Sequence, residues 1–323
     1  MNSKIDEIAN IAKKGTLWAT RKGADATIAH LENYITAKQK QPKYPPIFII
    51  GLSRSGTTLL YQLLCSHLKL SYFPNISAKV PSMPALTICT LRKFGICDSS
   101  PNYKSSYGIT RGWNNPNTGA SIWKRWFQKK NGEIITKCRD KFARQEMVGT
   151  ISQITQTLNR PFINKWTPNS VRIVELANSF PDSLFLVVER NPVDIAQSIL
   201  KARNAICRNP FLSFVTWPPQ YESKVQDDYI NNIVTHIKLV NAGMADGLNI
   251  IGQNRYTIIT YKELCKHPKK IIKLVSRFYF TKTNVVLHKK SMKHVPDYFN
   301  YSSGVNVDSA EYNKIKSVLY KTW

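Results

Sequence analysis

Ile47 to Leu64, IFIIGLSRSGTTLLYQLL, runs from a short apolar segment through a polar turn into a helical hydrophobic period, and no other stretch of the chain restricts the fold so far. Ile47 to Ile50, bounded by Pro45, Pro46 and Gly51, reads as a strand buried on both faces, the kind found inside a parallel sheet. From Thr57 the apolar residues recur at Leu60, Leu63, Leu64 and Leu68, which is helical spacing. A strand that turns directly into a helix aims unpaired N–H groups and the positive end of the helix dipole at one spot, which suits an anion. The spacing Gly51-x4-Gly56-Thr57-Thr58 fits the phosphate-loop pattern G-x-x-x-x-G-K-[ST], except that Thr57 occupies the lysine position. In a triphosphatase that lysine neutralises the β and γ phosphates, so its loss argues against triphosphate hydrolysis and leaves the cradle intact. Arg54 supplies a different cation, inside the loop.

A second junction of the same kind lies further on. SLFLVVE is the most strand-like segment of the chain and ends in Glu189-Arg190-Asn191-Pro192. There Asn191 can cap a helix, Pro192 suits its first position, and Val193, Ala196 and Leu200 give a buried face. Between the two junctions, Lys141 to Leu158 reads as a helix. Phe162 to Asn178 gives a short apolar start (PFIN), then Lys165, then a helix with Val171, Val174 and Leu176 inward. A helix over about Asp227 to Leu248, the strand RYTIITY, the helix pair KELCKHPKKIIKLVSRFYF and a final amphipathic segment, YNKIKSVLYKTW, complete the order. Strands alternating with helices over long crossovers predict a single α/β domain with a central parallel sheet and a site at the strands' carboxyl ends.

We expect this domain to span residues 45–323, preceded over 1–44 by a helical arm carrying Ile5, Ile8, Ile11, Thr27, Leu31, Tyr34 and Ile35. Residues 71–160 lose periodicity and gather Pro, Ser, Asn, Gly and aromatic residues, as a substrate-side insertion would. Its Trp113, Trp123, Trp126 and Phe127 could stack on sugar or ring faces, although core packing is the commoner fate of such residues.

Net charge of +26, from 46 basic and 20 acidic residues, gives a field attractive to anions. The basic residues are spread along the whole chain, which disfavours nucleic acid and leaves room for peripheral association with an anionic surface. The six cysteines contain no CxxC pair, so we expect thiols, no disulfide framework and no metal site. No apolar run approaches the roughly 18 to 20 residues of a membrane span, and the first residues contain no signal-like apolar region, so a cytoplasmic location is expected.

Taken together, the two junctions resemble the sulfotransferases that use 3′-phosphoadenosine 5′-phosphosulfate (PAPS), in particular their bacterial and tyrosylprotein branches. GLSRSGTT is similar to that family's 5′-phosphosulfate loop, ERNPVDIAQS to its 3′-phosphate motif, and ITYKELCKHP to its Y-E-D-L-x-x-x-P segment, with Lys262 in place of the usual acid. The resemblance implies a P-loop, nucleotide-kinase-like sulfotransferase fold without metal. It implies Ser55, Gly56, Thr57 and Thr58 on the 5′-phosphate, Arg190 and Ser198 on the 3′-phosphate, and Tyr261 near the adenosine. Arg54 and Lys165 would be the catalytic cations, placed where charge builds on the bridging oxygen as the bond to sulfur breaks.

The resemblance does not supply the proton acceptor. Where cytosolic members carry a histidine this chain has Thr167; LSYFPNIS lacks the glutamate of the tyrosylprotein members; Asn115-Pro116-Asn117-Thr118 stands against a G-P-S-E-like segment. His67, Glu175 and Glu189 are left as weak candidates. The implied activity is sulfuryl transfer from PAPS to a hydroxyl or amine, with a glycan, glycolipid or small alcohol as acceptor. A nucleotide-kinase-like phosphotransferase and a basic nucleic-acid-binding protein with a vestigial nucleotide fold are the alternatives.

Overall fold

The computed structural model describes residues 32, 36, 41–95, 98, 103, 105–106, 109–127, 129–130, 133–211, 218–220, 227–290 and 294–321. The framework is a parallel sheet of four strands: β1 (Ile47–Ile50), β2 (Ile163–Lys165), β3 (Leu184–Glu189) and β4 (Tyr256–Thr260), in the order β2-β1-β3-β4. Register places Ile49 beside Lys165 on one side and beside Leu186 on the other, with Glu189 opposite Thr260. Helices supply the crossovers: α1 (Thr57–His67), α2 (Pro84–Lys93), α3 (Ala120–Trp126), α4 (Lys141–Leu158), α5 (Ile173–Ser179), α6 (Pro192–Cys207), α7 (Tyr229–Ile251), α8 (Tyr261–Lys266), α9 (Pro268–Thr283) and α10 (Ser309–Tyr320).

The two-residue period of the strands sorts their side chains into two cores. Phe48, Ile50, Phe185 and Val187 face a layer built from Trp123 and Trp126 of α3, Met147 and Ile151 of α4, and Leu176 of α5. Ile47, Ile49, Leu184 and Leu186 face Leu60, Leu63 and Leu64 of α1 and Ile271, Ile272 and Val275 of α9. All of these side chains are buried, each worth about 1.5–3 kcal/mol for a large aliphatic or Phe. A third cluster joins α6, α7 and α10 through Ile195, Ile199, Ile233, Ile237, Ile315 and Leu319, so the final amphipathic segment docks on the helix that follows β3.

Several elements fall where sequence places them. α4 spans Lys141–Leu158 and ends on Asn159 in the left-handed region (φ 51°). α6 begins at Pro192, and the Asn191 side chain accepts from the Val193 N–H. Other boundaries moved. α7 starts at Tyr229 because Asp228 is its cap, accepting from Ile230 and Asn231. After Lys165 the chain makes a 3-10 turn over Thr167–Val171 before α5, which rotates Ile173, Leu176 and Ala177 inward and leaves Val171 and Val174 half-buried.

Within the 71–160 insertion, Trp123, Trp126 and Phe127 are core and Trp113 is half exposed. The arm residues Ile5, Ile8, Ile11, Thr27, Leu31, Tyr34 and Ile35 lie outside the described residues. Of that arm, Glu32 is buried and its carboxylate accepts the Ala85 and Leu86 N–H groups at the start of α2, which holds the arm to the insertion. The five described cysteines are free thiols. No helix among the described residues is long and apolar enough to cross a membrane, and no group of three His, Cys, Asp or Glu side chains among them could hold a metal ion.

Candidate active site

Each strand of the sheet delivers one element of the site at its carboxyl end: Lys165 closes β2, the loop from Gly51 follows β1, Arg190 follows β3, and Tyr261 follows β4. The loop needs three residues in the left-handed half of backbone space, Gly51 (φ 145°), Arg54 (φ 71°) and Gly56 (φ 101°). Two of them are glycines for a steric reason. A Cβ on Gly56 would sit 2.4 Å from Cδ2 of Tyr261, and one on Gly51 would sit 2.6 Å from the Val188 carbonyl oxygen.

The loop is fixed from inside. The Gly51 N–H donates to Ser170 Oγ at 2.9 Å and the Ser170 hydroxyl donates to Gly51 O at 2.9 Å, tying the turn after β1 to the one after β2. Ser55 spends both its N–H (3.2 Å) and its hydroxyl (2.8 Å) on Leu52 O, so its donors shape the turn. No side chain caps α1, so the N–H groups of its first turn, at Thr57, Thr58 and the residue after, point out of the helix end without an intrahelical partner. Thr57 is buried and Thr58 half-buried.

Arg190 anchors the second half of the site. Its Nη1 donates to Arg54 O at 2.8 Å and its Nη2 to Ser302 O at 2.6 Å, and the guanidinium lies 4.5 Å over the Tyr261 ring. Its Nε is buried and meets no acceptor among the described residues. Arg54 Nε donates to Ser198 Oγ at 3.0 Å, so Arg54, Arg190, Ser198 and Tyr261 form one contiguous group. Asp194, one turn before Ser198, is buried; burial raises its carboxyl, while Arg190 and the Gly304 amide act in the opposite direction. Burial also pushes the Tyr261 phenol up to about 12.

Lys165 is 6% exposed and pairs with no carboxylate among the described residues. Burial first, and the positive charge of Arg54 second, bring its ammonium from 10.5 to about 8. Its neighbour Asn164 points the other way: Oδ1 accepts from Trp123 Nε1 at 3.0 Å and Nδ2 donates to Thr118 O at 3.2 Å.

The three candidate proton acceptors separate from this group. His67 sits at the far end of α1, about 15 Å along the axis from the cradle, with Nε2 2.7 Å from the Tyr103 hydroxyl. Glu175 is gripped through both oxygens by Arg144, at 2.9 Å each. Glu189 ends β3 with its side chain exposed. The Asn115–Thr118 stretch contributes an amide network, in which Asn117 Nδ2 donates to Asn75 Oδ1 at 2.6 Å. Ser170, Asp194 and the Ser302–Gly304 segment were missed by sequence reasoning. The last lies in a polar tail with no periodicity, and only folding brings it to Arg190.

A family model described as the sulfotransferase family matches residues 45–279. No curated protein matches the chain. Among solved structures, a sulfotransferase from Mycobacterium avium aligns with a TM-score of 0.48 at 14% identity, over 73% of this chain and 64% of that one. This chain thus spans less than two thirds of that protein. A sulfotransferase from Mycobacterium tuberculosis aligns with a TM-score of 0.45 at 13% identity, over 73% and 67% of the two chains. One from Alicyclobacillus acidocaldarius gives 0.44 at 16%, over 86% and 92%.

Proposed function

The chain belongs to the sulfotransferase family, and from that membership we propose that it transfers a sulfuryl group from PAPS to a hydroxyl or amine of a glycan, glycolipid or small alcohol. The observation that carries this reading is Lys165. A buried ammonium with a second cation beside it and, among the described residues, no carboxylate to pair with is costly, and an anion at the mouth of the cradle removes that cost.

The residues present fit such a donor. Gly56, Thr57 and Thr58 offer the uncapped helix terminus to the 5′-phosphate, and the absence of a Cβ at Gly56 lets the backbone lie against Tyr261. Arg190, with its unsatisfied Nε, and Ser198 suit the 3′-phosphate, and Tyr261 lies beside them for the adenosine. When bound, PAPS supplies the sulfuryl group on a phosphosulfate anhydride. Lys165 and Arg54 then hold positive charge where the departing oxygen becomes negative, which stabilises that arrangement more than the ground state. Ser55 serves by shaping the loop, since its donors turn inward.

Calorimetric titration with 3′-phosphoadenosine 5′-phosphate (PAP) tests the reading. Wild type should bind PAP, Arg190→Ala and Ser198→Ala should bind it more weakly, and Lys165→Ala should lose transfer while keeping most of the PAP affinity. A protein that ignores PAP and binds ATP with magnesium, or binds arbitrary DNA in a salt-dependent way, would refute it.

A further inference from the structure

Helix α9 has one face in the core and one in solvent. Ile271, Ile272, Val275 and Tyr279 are buried with the side chains of α1 and the sheet, and the helical period carries other residues to the opposite side. There Lys270, Lys273, Arg277 and Phe280 succeed one another at three- and four-residue spacing, all exposed, and form one ridge. Lys269 and Leu274 flank it and are exposed as well. Phe280 is 48% exposed and Leu274 42%, so two large apolar side chains stand in water among the cations.

The charge of this helix has one sign. Over Pro268–Thr283 it carries Lys269, Lys270, Lys273, Arg277 and Lys282 and no acidic residue. Other long helices mix their signs: α4 has Glu146 beside Lys141 and Arg144, α6 has Asp194 beside Lys201 and Arg203, and α10 has Glu311 beside Lys314 and Lys316. Of the elements packed against α9, α1 carries no acidic residue, and α8 brings Lys262, Glu263 and Lys266, all exposed. Asp297 reaches α9 from the chain beyond it, and Lys269 Nζ donates to its carboxylate at 2.6 Å. Lys270, Lys273 and Arg277 make no ion pair among the described residues.

A convex ridge encloses no volume for a small molecule, and it fits a flat partner. Its cations call for an anionic partner, and Phe280 and Leu274 for one with an apolar layer behind its charges. Nucleic acid phosphates would meet the cations and leave both apolar side chains in water. We propose that the outer face of α9 docks on an anionic phospholipid bilayer, with Lys270, Lys273 and Arg277 against the headgroups and Phe280, flanked by Leu274, entering the boundary of the acyl layer. This docking requires no sulfuryl donor.

The test is co-sedimentation of the full chain, without nucleotide, with phosphatidylcholine vesicles made with and without phosphatidylserine. Wild type should bind only the vesicles containing phosphatidylserine and release them as salt rises. The triple variant Lys270→Glu, Lys273→Glu, Arg277→Glu should bind about a hundredfold more weakly or worse, since each cation near such a surface contributes about fivefold. Phe280→Ser keeps every charge and should weaken binding about fivefold. A second triple variant, Lys124→Glu, Lys201→Glu, Lys316→Glu, removes the same charge from exposed positions on α3, α6 and α10 and should lose no more than about fivefold. Circular dichroism checks that each variant folds. Absence of vesicle binding, binding indifferent to phosphatidylserine, or equal losses in the two triple variants overturns the proposal. So does a wild type that ignores vesicles and binds a DNA duplex through the ridge, which would make nucleic acid the partner.

Discussion

Replacing Lys165 by methionine removes a charge and preserves most of the side-chain volume, so it separates the electrostatic cost of the residue from its packing. In the folded chain the ammonium is drawn from 10.5 to about 8, a displacement of about 2.5 units. At about 1.36 kcal/mol per unit this is roughly 3 kcal/mol by which folding disfavours the charged form. The direction follows from linkage: between pH 8 and 10.5 the unfolded chain holds a proton that the folded chain has released, so wild-type stability rises with pH across that window. Below pH 8 the full cost is present. Lys165→Met should therefore be more stable than wild type at pH 7, by an upper limit of about 3 kcal/mol, or roughly 6–12 °C in Tm for a domain of this size. At pH 10 the same difference should shrink to about 1 kcal/mol or less. Thermal melts of both proteins at the two pH values, without nucleotide, decide it. A variant less stable than wild type at pH 7, or an equal difference at both pH values, would refute the reasoning that Lys165 is held against its own stability for an anion.

The rate of sulfuryl transfer at saturating donor should fall as pH rises through 8, by up to about tenfold per unit, and this fall should be missing from any residual activity of Lys165→Met, while PAP affinity changes little; rate assays and calorimetry across pH 7 to 10 read both. Arg190→Lys keeps the charge but not the fork that now reaches Arg54 O and Ser302 O, and should weaken PAP about ten- to a hundredfold in the same titration. Gly56→Ala forces a Cβ against Tyr261 at a backbone angle alanine rarely adopts, and should cost about 1–3 kcal/mol in denaturant unfolding together with most of the PAP binding. Glu175→Gln breaks the pair with Arg144 and should lower stability by about 1 kcal/mol while leaving kcat for sulfuryl transfer unchanged, since the carboxylate is engaged elsewhere; a large fall in kcat would restore it as a proton acceptor.

The sequence by itself determined the sheet and the two strand-turn-helix junctions on which the candidate site is built. A buried strand feeding a glycine turn and a helix is a local pattern, and its geometry follows from backbone sterics and from N–H groups that the helix leaves unpaired. Gly51, Gly56, Arg190, Asn191 and Pro192 were legible for that reason: their neighbours along the chain are the ones that decide their conformation. Ser55 shows the limit, because only the folded loop reveals that its donors turn back to Leu52 O. Tertiary structure alone decided what depends on residues far apart in sequence. It set Ser170 against Gly51, brought Ser302 to Arg190 across 112 residues, and placed the Tyr103 hydroxyl against His67. It also buried Lys165 and Arg172 without a carboxylate partner among the described residues. A lysine and an arginine in a sequence are ordinary solvated charges, and only burial by distant elements makes their charge costly.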